Sequence, residues 1–111
     1  MNTENTLIQM RKGILEFCIL SIIDQKEVYA SEIIAKLKEA KLLVVEGTIY
    51  PLLTRLKNNQ MLSYEWQESE SGPPRKYYKL TAQGKELLKQ QSITWDELVM
   101  AVEMTTKHTK R

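Results

Sequence analysis

The chain has 111 residues, which is the length of one domain, and its 42% hydrophobic content is that of an ordinary globular protein. With 16 basic against 14 acidic side chains the net charge is +2, so any basic surface must come from the distribution of charges rather than their excess. One cysteine excludes an intrachain disulfide, and the absence of a signal-peptide pattern and of an apolar run long enough for a bilayer predicts a cytoplasmic protein.

Residues 6–24 are predicted to form the first helix. Its polar side chains, Gln9, Lys12 and Glu16, occupy only a narrow strip, and apolar side chains cover most of the remaining surface. A helix that is apolar on most sides must be covered on most sides, which a small domain does not readily achieve alone. The first helix therefore indicates an interface with a second chain.

Two shorter helices are predicted at residues 31–40 and 47–59. The core face of the latter has the helical i, i+3, i+4, i+7 spacing and consists of Ile49, Leu52, Leu53 and Leu56. Pro51 is compatible with this helix if the helix begins near Gly47. The N–H groups at the start of a helix have no acceptor within the helix, so a proline there loses no hydrogen bond. The opposite face is small, polar and basic. Such a face is usually just solvated, but Tyr50 is a large aromatic that the core does not claim, which favours a binding role.

A hairpin follows the third helix. Leu62, Tyr64 and Trp66 alternate with polar residues as in a strand, and residues 75–81 predict a second strand. The segment "SESGPP" between them is predicted to close the hairpin, which puts Arg75 and Lys76 at its tip. Prolines stiffen such a tip, and the two bases can meet phosphates, or the guanidinium can enter the minor groove. Basic tips are common on globular domains, so this feature alone is weak.

The last helix is predicted over residues 82–106, with Thr81 as its N-cap. One stripe along it, apolar except for Gln91, consists of Leu88, Gln91, Trp95, Leu98, Val99 and Val102. A second stripe, on roughly the opposite side, consists of Ile93, Met100 and Met104. A helix with two apolar sides needs partners on both. Residues 107–111 form a basic tail.

The order of these elements predicts a mostly α protein with a small β-hairpin, an α+β chain. Three helices and a hairpin make a winged helix-turn-helix, in which the third helix would enter the major groove of DNA and the hairpin would be the wing. We divide the chain into a DNA-binding domain at 1–81, a C-terminal dimerisation helix at 82–106 and the tail at 107–111.

Three motifs carry a resemblance to a known family: "GTIYPLLTRL", "GPPRKYYKLT" and "TAQGKELL". In these motifs, and over nearly its whole length, the sequence resembles the PadR family of bacterial transcriptional regulators. The resemblance implies a homodimeric repressor that binds double-stranded DNA at an inverted-repeat operator. It also implies that the last helix packs against the partner subunit and that the first helix completes the interface.

The resemblance assigns roles to residues by position. The implied DNA contacts are Thr48, Tyr50, Thr54 and Arg55 on the third helix and Arg75 and Lys76 on the wing. The implied interface residues are Phe17, Trp95, Leu98, Val99 and Val102. Some short members of the family bind flat aromatic compounds beside a tryptophan of the last helix, and Trp95 stands at that place. The alternative is that Trp95 only packs the dimer.

The sequence departs from the family pattern after the third helix, where many relatives have glycine and this chain has "NNQ". Asn59 or Gln60 must then adopt the left-handed conformation, and Asn59 is the expected one.

No enzymatic function is predicted. The sole histidine, His108, lies in the tail, and Cys18 lies in an apolar helix without a partner for catalysis. No cysteine and histidine spacing suits a metal, and no Gly-rich phosphate loop follows a strand, so neither metal nor cofactor is expected. The remaining alternative is a winged helix that binds another protein as an adaptor and does not bind specific DNA.

Overall fold

The computed structural model describes residues 3–42 and 45–107, which form five helices and three strands. The helices are α1 (Thr3–Met10), α2 (Ile14–Gln25), α3 (Ala30–Glu39), α4 (Ile49–Asn58) and α5 (Ala82–Thr106). The strands are β1 (Val28–Tyr29), β2 (Leu62–Ser69) and β3 (Gly72–Leu80), and a turn of 3-10 helix, Glu46–Thr48, precedes α4. The helix predicted at 82–106 has these bounds, and most of the basic tail lies outside the described residues.

The strands form one antiparallel sheet in the order β1-β3-β2. The predicted fold class is confirmed, although the sheet has a third strand. Val28 pairs with Tyr78 in this third strand, which was not predicted, because a strand of two residues is too short to show an alternating pattern. The core between sheet and helices consists of Leu15, Ile19, Leu20, Ile23, Val28, Ile33, Ile34, Leu37, Ile49, Leu53, Leu56, Leu62, Tyr78 and Leu80.

The predicted first helix is in fact two helices. Gly13 has a φ of 83°, a left-handed conformation that interrupts the helix between α1 and α2. The prediction of one continuous helix over residues 6–24 was therefore wrong. Arg11 lies in this break and is buried, and its guanidinium donates to the carbonyl oxygen of Leu42 at 3.0 Å. Through this bond Arg11 anchors the end of α1 to Leu42, which lies three residues after α3.

Helix α4 begins where Pro51 allows it to begin. Pro51 is the third residue of the helix, in the first turn, so the missing N–H costs no helical hydrogen bond. At the other end Gln60, with a φ of 66°, takes the left-handed position, and the expectation for Asn59 was wrong. The N–H of Met61 donates to Leu56 at 2.9 Å, which is the Schellman pattern and requires the positive φ one residue beyond Asn59.

The hairpin is longer than predicted. Its turn is formed by Glu70 and Ser71, and Ser69 pairs with Gly72. The prolines and the two bases therefore belong to β3, and the prediction that they form the tip was wrong. Beyond its short pairing with β1, this part of β3 is an edge, where proline removes no needed donor.

Helix α5 is fixed to the rest of the chain through its first turn. The Thr81 hydroxyl accepts from the N–H of Gly84 at 2.9 Å, as the predicted cap, and donates to the carbonyl oxygen of Gln60 at 2.6 Å. Gly84 is buried against the backbone of Met61. This contact after α4 therefore helps to set the direction of the helix, together with the packing of α5 against α2.

Candidate nucleic-acid interface

Helix α4 has one buried and one exposed face. Ile49, Leu53 and Leu56 are buried, whereas Thr54 is exposed and 54% of Tyr50 is accessible. Tyr50 and Thr54 are four residues apart and so lie on one side of the helix. A large aromatic with half of its surface in solvent, beside a small hydroxyl, is a surface suited to contact with a ligand rather than to packing.

Thr48, the last residue of the 3-10 turn before α4, and Arg55 of α4 lie on a different flank from Tyr50 and Thr54. The guanidinium of Arg55 forms an ion pair with Glu16 on α2. With Thr48 and Leu52, these two side chains line a cavity of about 260 Å³ between α4 and the N-terminal helices. The four residues predicted on this helix therefore do not share one surface: Tyr50 and Thr54 face away from α2, and Arg55 is directed towards it.

Arg75 lies on the outer face of the sheet. Its guanidinium carbon is 5.1 Å from the ring centroid of Tyr29, which in turn packs edge-on against Tyr77 at 4.7 Å. A cation over an aromatic face at an exposed site contributes about 0.5–1 kcal/mol. The contact restricts Arg75 without neutralising its charge, so the charge remains available to a ligand.

Lys76 lies on the opposite face of β3. Its ammonium is 4.5 Å from the ring centroid of Tyr64 and 5.5 Å from that of Trp66. The ammonium of Lys57, on α4, lies 5.9 Å from the ring centroid of the same tyrosine, Tyr64. Two bases from different elements therefore converge on one aromatic cluster.

A cleft of about 480 Å³ lies between α4 and the hairpin, and we call it the wing cleft. Its lining consists of Tyr29, Ala30, Ser31, Tyr50, Trp66, Pro74, Arg75, Lys76 and Tyr78. The cleft thus brings together three residues predicted from the sequence, Tyr50, Arg75 and Lys76, although Tyr50 lies 25 positions before Arg75. Sequence reasoning missed the contributions of Tyr29, Ser31 and Trp66. Only the strand alternation of Trp66 signalled a shared face.

The floor of the wing cleft is uncharged. Burial, followed by the neighbouring Tyr64 and Tyr50 phenols, raises the pKa of Tyr78 above its usual value. Its phenol therefore stays protonated at neutral pH and adds no negative charge beneath the two bases. Glu65, an acid on β2, is paired with Lys79 at 3.7 Å.

The second half of α5 exposes large apolar side chains on two roughly opposite faces. Ile93, Met100 and Met104 form one face, and the other consists of Trp95, Leu98, Val99 and Val102. Phe17 of α2 reaches this second face at its inner end, where its ring lies 6.3 Å from that of Trp95. Exposed apolar patches of this extent on a small domain mark a binding surface.

A cavity of about 350 Å³ opens beside Trp95. Its walls are formed by Met10, Lys12, Gly13, Ile14, Phe17, Gln91, Thr94, Trp95 and Leu98. The side-chain carbonyl oxygen of Gln91 is buried there without a hydrogen-bond partner. Phe17, Trp95 and Leu98 therefore meet at one site, whereas Val99 and Val102 continue the exposed surface beyond it.

Residues 19–90 match the family described as the transcriptional regulator PadR-like family. This chain belongs to the PadR-like family of transcriptional regulators. The match extends from α2 through the sheet into the first turns of α5, so the wing cleft lies within it.

Solved structures of other PadR-like proteins agree with this assignment. A PadR-like transcription factor from Bacteroides fragilis is 57% identical, with a TM-score of 0.75 over 91% of this chain and 98% of that one. A PadR-like transcriptional regulator from Bacillus cereus is 38% identical, with a TM-score of 0.77 over 93% and 99%. Bacillus subtilis PadR in complex with operator DNA is 24% identical, with a TM-score of 0.66 over 72% of this chain and 47% of that one, and shares the fold.

The PadR-like family consists of transcriptional regulators rather than enzymes. Within residues 3–42 and 45–107, no group of three or more histidine, cysteine or acidic side chains could hold a metal ion. In the same part of the chain, no helix has both the length and the apolar content needed to cross a membrane. Cys18 is half-buried, and burial raises the pKa of its thiol, which reduces its reactivity.

Proposed function

We propose that this PadR-like protein is a homodimeric repressor that acts in the cytoplasm by binding an inverted-repeat operator. The observation that carries the proposal is the wing cleft, which combines Tyr50 of α4 with Arg75 and Lys76 of the hairpin. A recognition helix and a basic wing on the two sides of one cleft suit a major groove and its adjoining backbone. The Bacillus subtilis relative crystallised with operator DNA supports the same use of the fold.

In this proposal the predicted residues have different roles. Tyr50 and Thr54, which face solvent on α4, contact base edges, and Arg75 and Lys76 contact phosphates. Thr48 and Arg55 contact DNA from the flank of the helix. Arg55 must then exchange its ion pair with Glu16 for a contact with the nucleic acid.

The dimer is proposed to form through the apolar surface of α5. A partner's α5 would cover Trp95, Leu98, Val99 and Val102, and Phe17 would complete the contact from α2. Two-fold symmetry would then place two copies of α4 about one turn of DNA apart, which requires an inverted repeat.

A small aromatic effector is proposed to bind beside Trp95 and to relieve repression. The cavity there is mostly apolar, and the unpartnered oxygen of Gln91 offers an acceptor to a ligand donor. In the variant Trp66→Phe, Trp95 is the only tryptophan. We expect its fluorescence to be quenched by at least one compound of a planar aromatic panel. A flat response to the whole panel would leave Trp95 with a packing role in the dimer.

The double variant Arg75→Ala/Lys76→Ala is expected to bind duplex DNA at least about tenfold more weakly, because two charge-assisted phosphate contacts are lost. The slope of log affinity against log salt should become shallower by about 2, since each lost phosphate contact removes about 0.9. Fluorescence anisotropy of a labelled duplex at several salt concentrations measures both quantities.

The matched control is Lys85→Ala/Lys89→Ala, which removes the same charge from exposed positions on α5. Its salt slope should stay close to that of the parent protein. If the hairpin variant instead bound DNA as the parent does, the alternative of a protein-binding adaptor would become the better account.

A further inference from the structure

We propose that Trp66 is a DNA-contacting residue of the wing cleft, which packs on the deoxyribose-phosphate backbone of the strand that the cleft holds. This inference rests on the proposed DNA-binding function and adds to it a contact that the basic residues alone do not supply. The ligand chemistry is that of a polyanion with an apolar sugar, and the cleft offers both a cationic and an aromatic wall to it.

The first support is the exposure of Trp66. Of its surface 63% is accessible, although Tyr64 on the same face of β2 is half-buried and Tyr78 opposite is buried. The sheet register puts Trp66 directly opposite Lys76, and therefore at the outer end of the wing cleft. An aromatic side chain of this size on a narrow hairpin has no core to enter, so its apolar surface is free for a ligand.

The second support is the way in which Trp66 is held. Its ring packs edge-on against that of Tyr64 at 6.0 Å, with an interplanar angle of 90°. Because Tyr64 also packs on Tyr78 at 5.9 Å, the exposed ring is connected to the core through two aromatic contacts. A ring fixed in this way loses little conformational entropy when it binds.

The third support is the charge next to the ring. The Lys76 ammonium lies 5.5 Å from the Trp66 centroid, so one backbone segment could contact the indole with its sugar and the ammonium with its phosphate. The indole N–H is a donor without any acceptor function, which suits a phosphate oxygen. Stacking of single-stranded bases on aromatic side chains contributes about 1–3 kcal/mol by alanine substitution, and packing of the indole on a sugar is expected at the lower end of that range.

The experiment uses the full-length protein, a labelled duplex of mixed sequence of about 30 base pairs, and about 50 mM salt, because a backbone contact needs no specific operator. Trp66→Ala should weaken binding about tenfold, and Trp66→Phe, which keeps an aromatic ring, by less than about threefold. Gln67→Ala is the control. Gln67 is exposed and follows Trp66 in β2, so its side chain lies on the other face of the sheet, and its removal should change affinity by less than about twofold.

The tryptophan emission supplies a second readout. The protein has only Trp66 and Trp95. The parent's emission should change as the duplex binds, and this change should disappear in Trp66→Phe at saturating duplex. Binding in anisotropy with unaltered emission, or an emission change that persists in Trp66→Phe, would overturn the role of Trp66 and leave DNA binding intact. Failure of the parent protein to bind any duplex would overturn the proposed function itself.

Discussion

Gly84→Ala is expected to lower the free energy of unfolding by about 3 kcal/mol or more. A Cβ atom at this position would lie 2.1 Å from the carbonyl oxygen of Met61 and 3.0 Å from its carbonyl carbon. The obstacle is backbone rather than a flexible side chain. Relief therefore requires α5 to move away from the turn after α4, and the bonds of Thr81 to Gln60 and Gly84 would be strained.

Thermal unfolding at fixed protein concentration measures this effect. A loss of 3 kcal/mol corresponds to a fall in Tm of roughly 10–20 °C for a domain of this size. Gly47→Ala is the matched control, because its new methyl group would have no atom within 4 Å and its φ is not positive. Equal melting temperatures for the two variants would mean that α5 is not fixed through Gly84.

Leu98→Glu is expected to convert the proposed dimer into monomers. Leu98 lies in the middle of the exposed apolar surface of α5, with 52% of its surface accessible in the single chain. Both subunits of a two-fold dimer carry the substitution, so the interface would bury two glutamate side chains. Each buried carboxylate without a partner costs several kcal/mol. The dissociation constant of the dimer should therefore rise by about a thousandfold or more.

Sedimentation velocity over a range of concentrations tests this expectation. The parent should sediment with twice the mass of one chain, and Leu98→Glu with that of one chain. Gln83→Glu adds the same charge at an exposed position in the first turn of α5, and it should leave the parent's behaviour unchanged. If Leu98→Glu remained as associated as the parent, the apolar surface of α5 would not be the dimer contact.

Much of the fold follows from the sequence because its local signals agree with one another. The spacing of Ile49, Leu53 and Leu56 predicted the core face of α4, and Pro51 fixed where that helix could begin. Thr81 signalled the start of α5. These features depend on residues within a turn or two of each other, so the sequence carries them directly.

The errors came where local preference competes with longer-range contacts. Gly13 within a segment of helical pattern does not by itself reveal a break, because glycine is tolerated in helices. Asn favours the left-handed conformation more than Gln does, but the hydrogen bonds after α4 place the positive φ at Gln60. The strand pairing at Val28 depends on a partner fifty residues later, which no local pattern contains.

Only part of the candidate site was predicted, because some of its contacts join residues that are far apart in the sequence. Tyr50, Arg75 and Lys76 were recognised by residue type and position, and they do line one cleft. The ion pair between Glu16 and Arg55 joins residues 39 positions apart and could not be read from spacing. The exposure of Trp66 likewise depends on where the hairpin turns, which the sequence placed too late.

Selection from a pool of random duplex DNA at two salt concentrations tests whether this protein is a dimeric, sequence-specific regulator. We expect recovery of an inverted repeat whose half-sites are about one helical turn apart, because a two-fold dimer presents two copies of α4. Binding should weaken steeply with salt, and the motif should persist at the higher concentration. Recovery of no motif at either salt concentration would contradict the claim that this protein is a sequence-specific regulator.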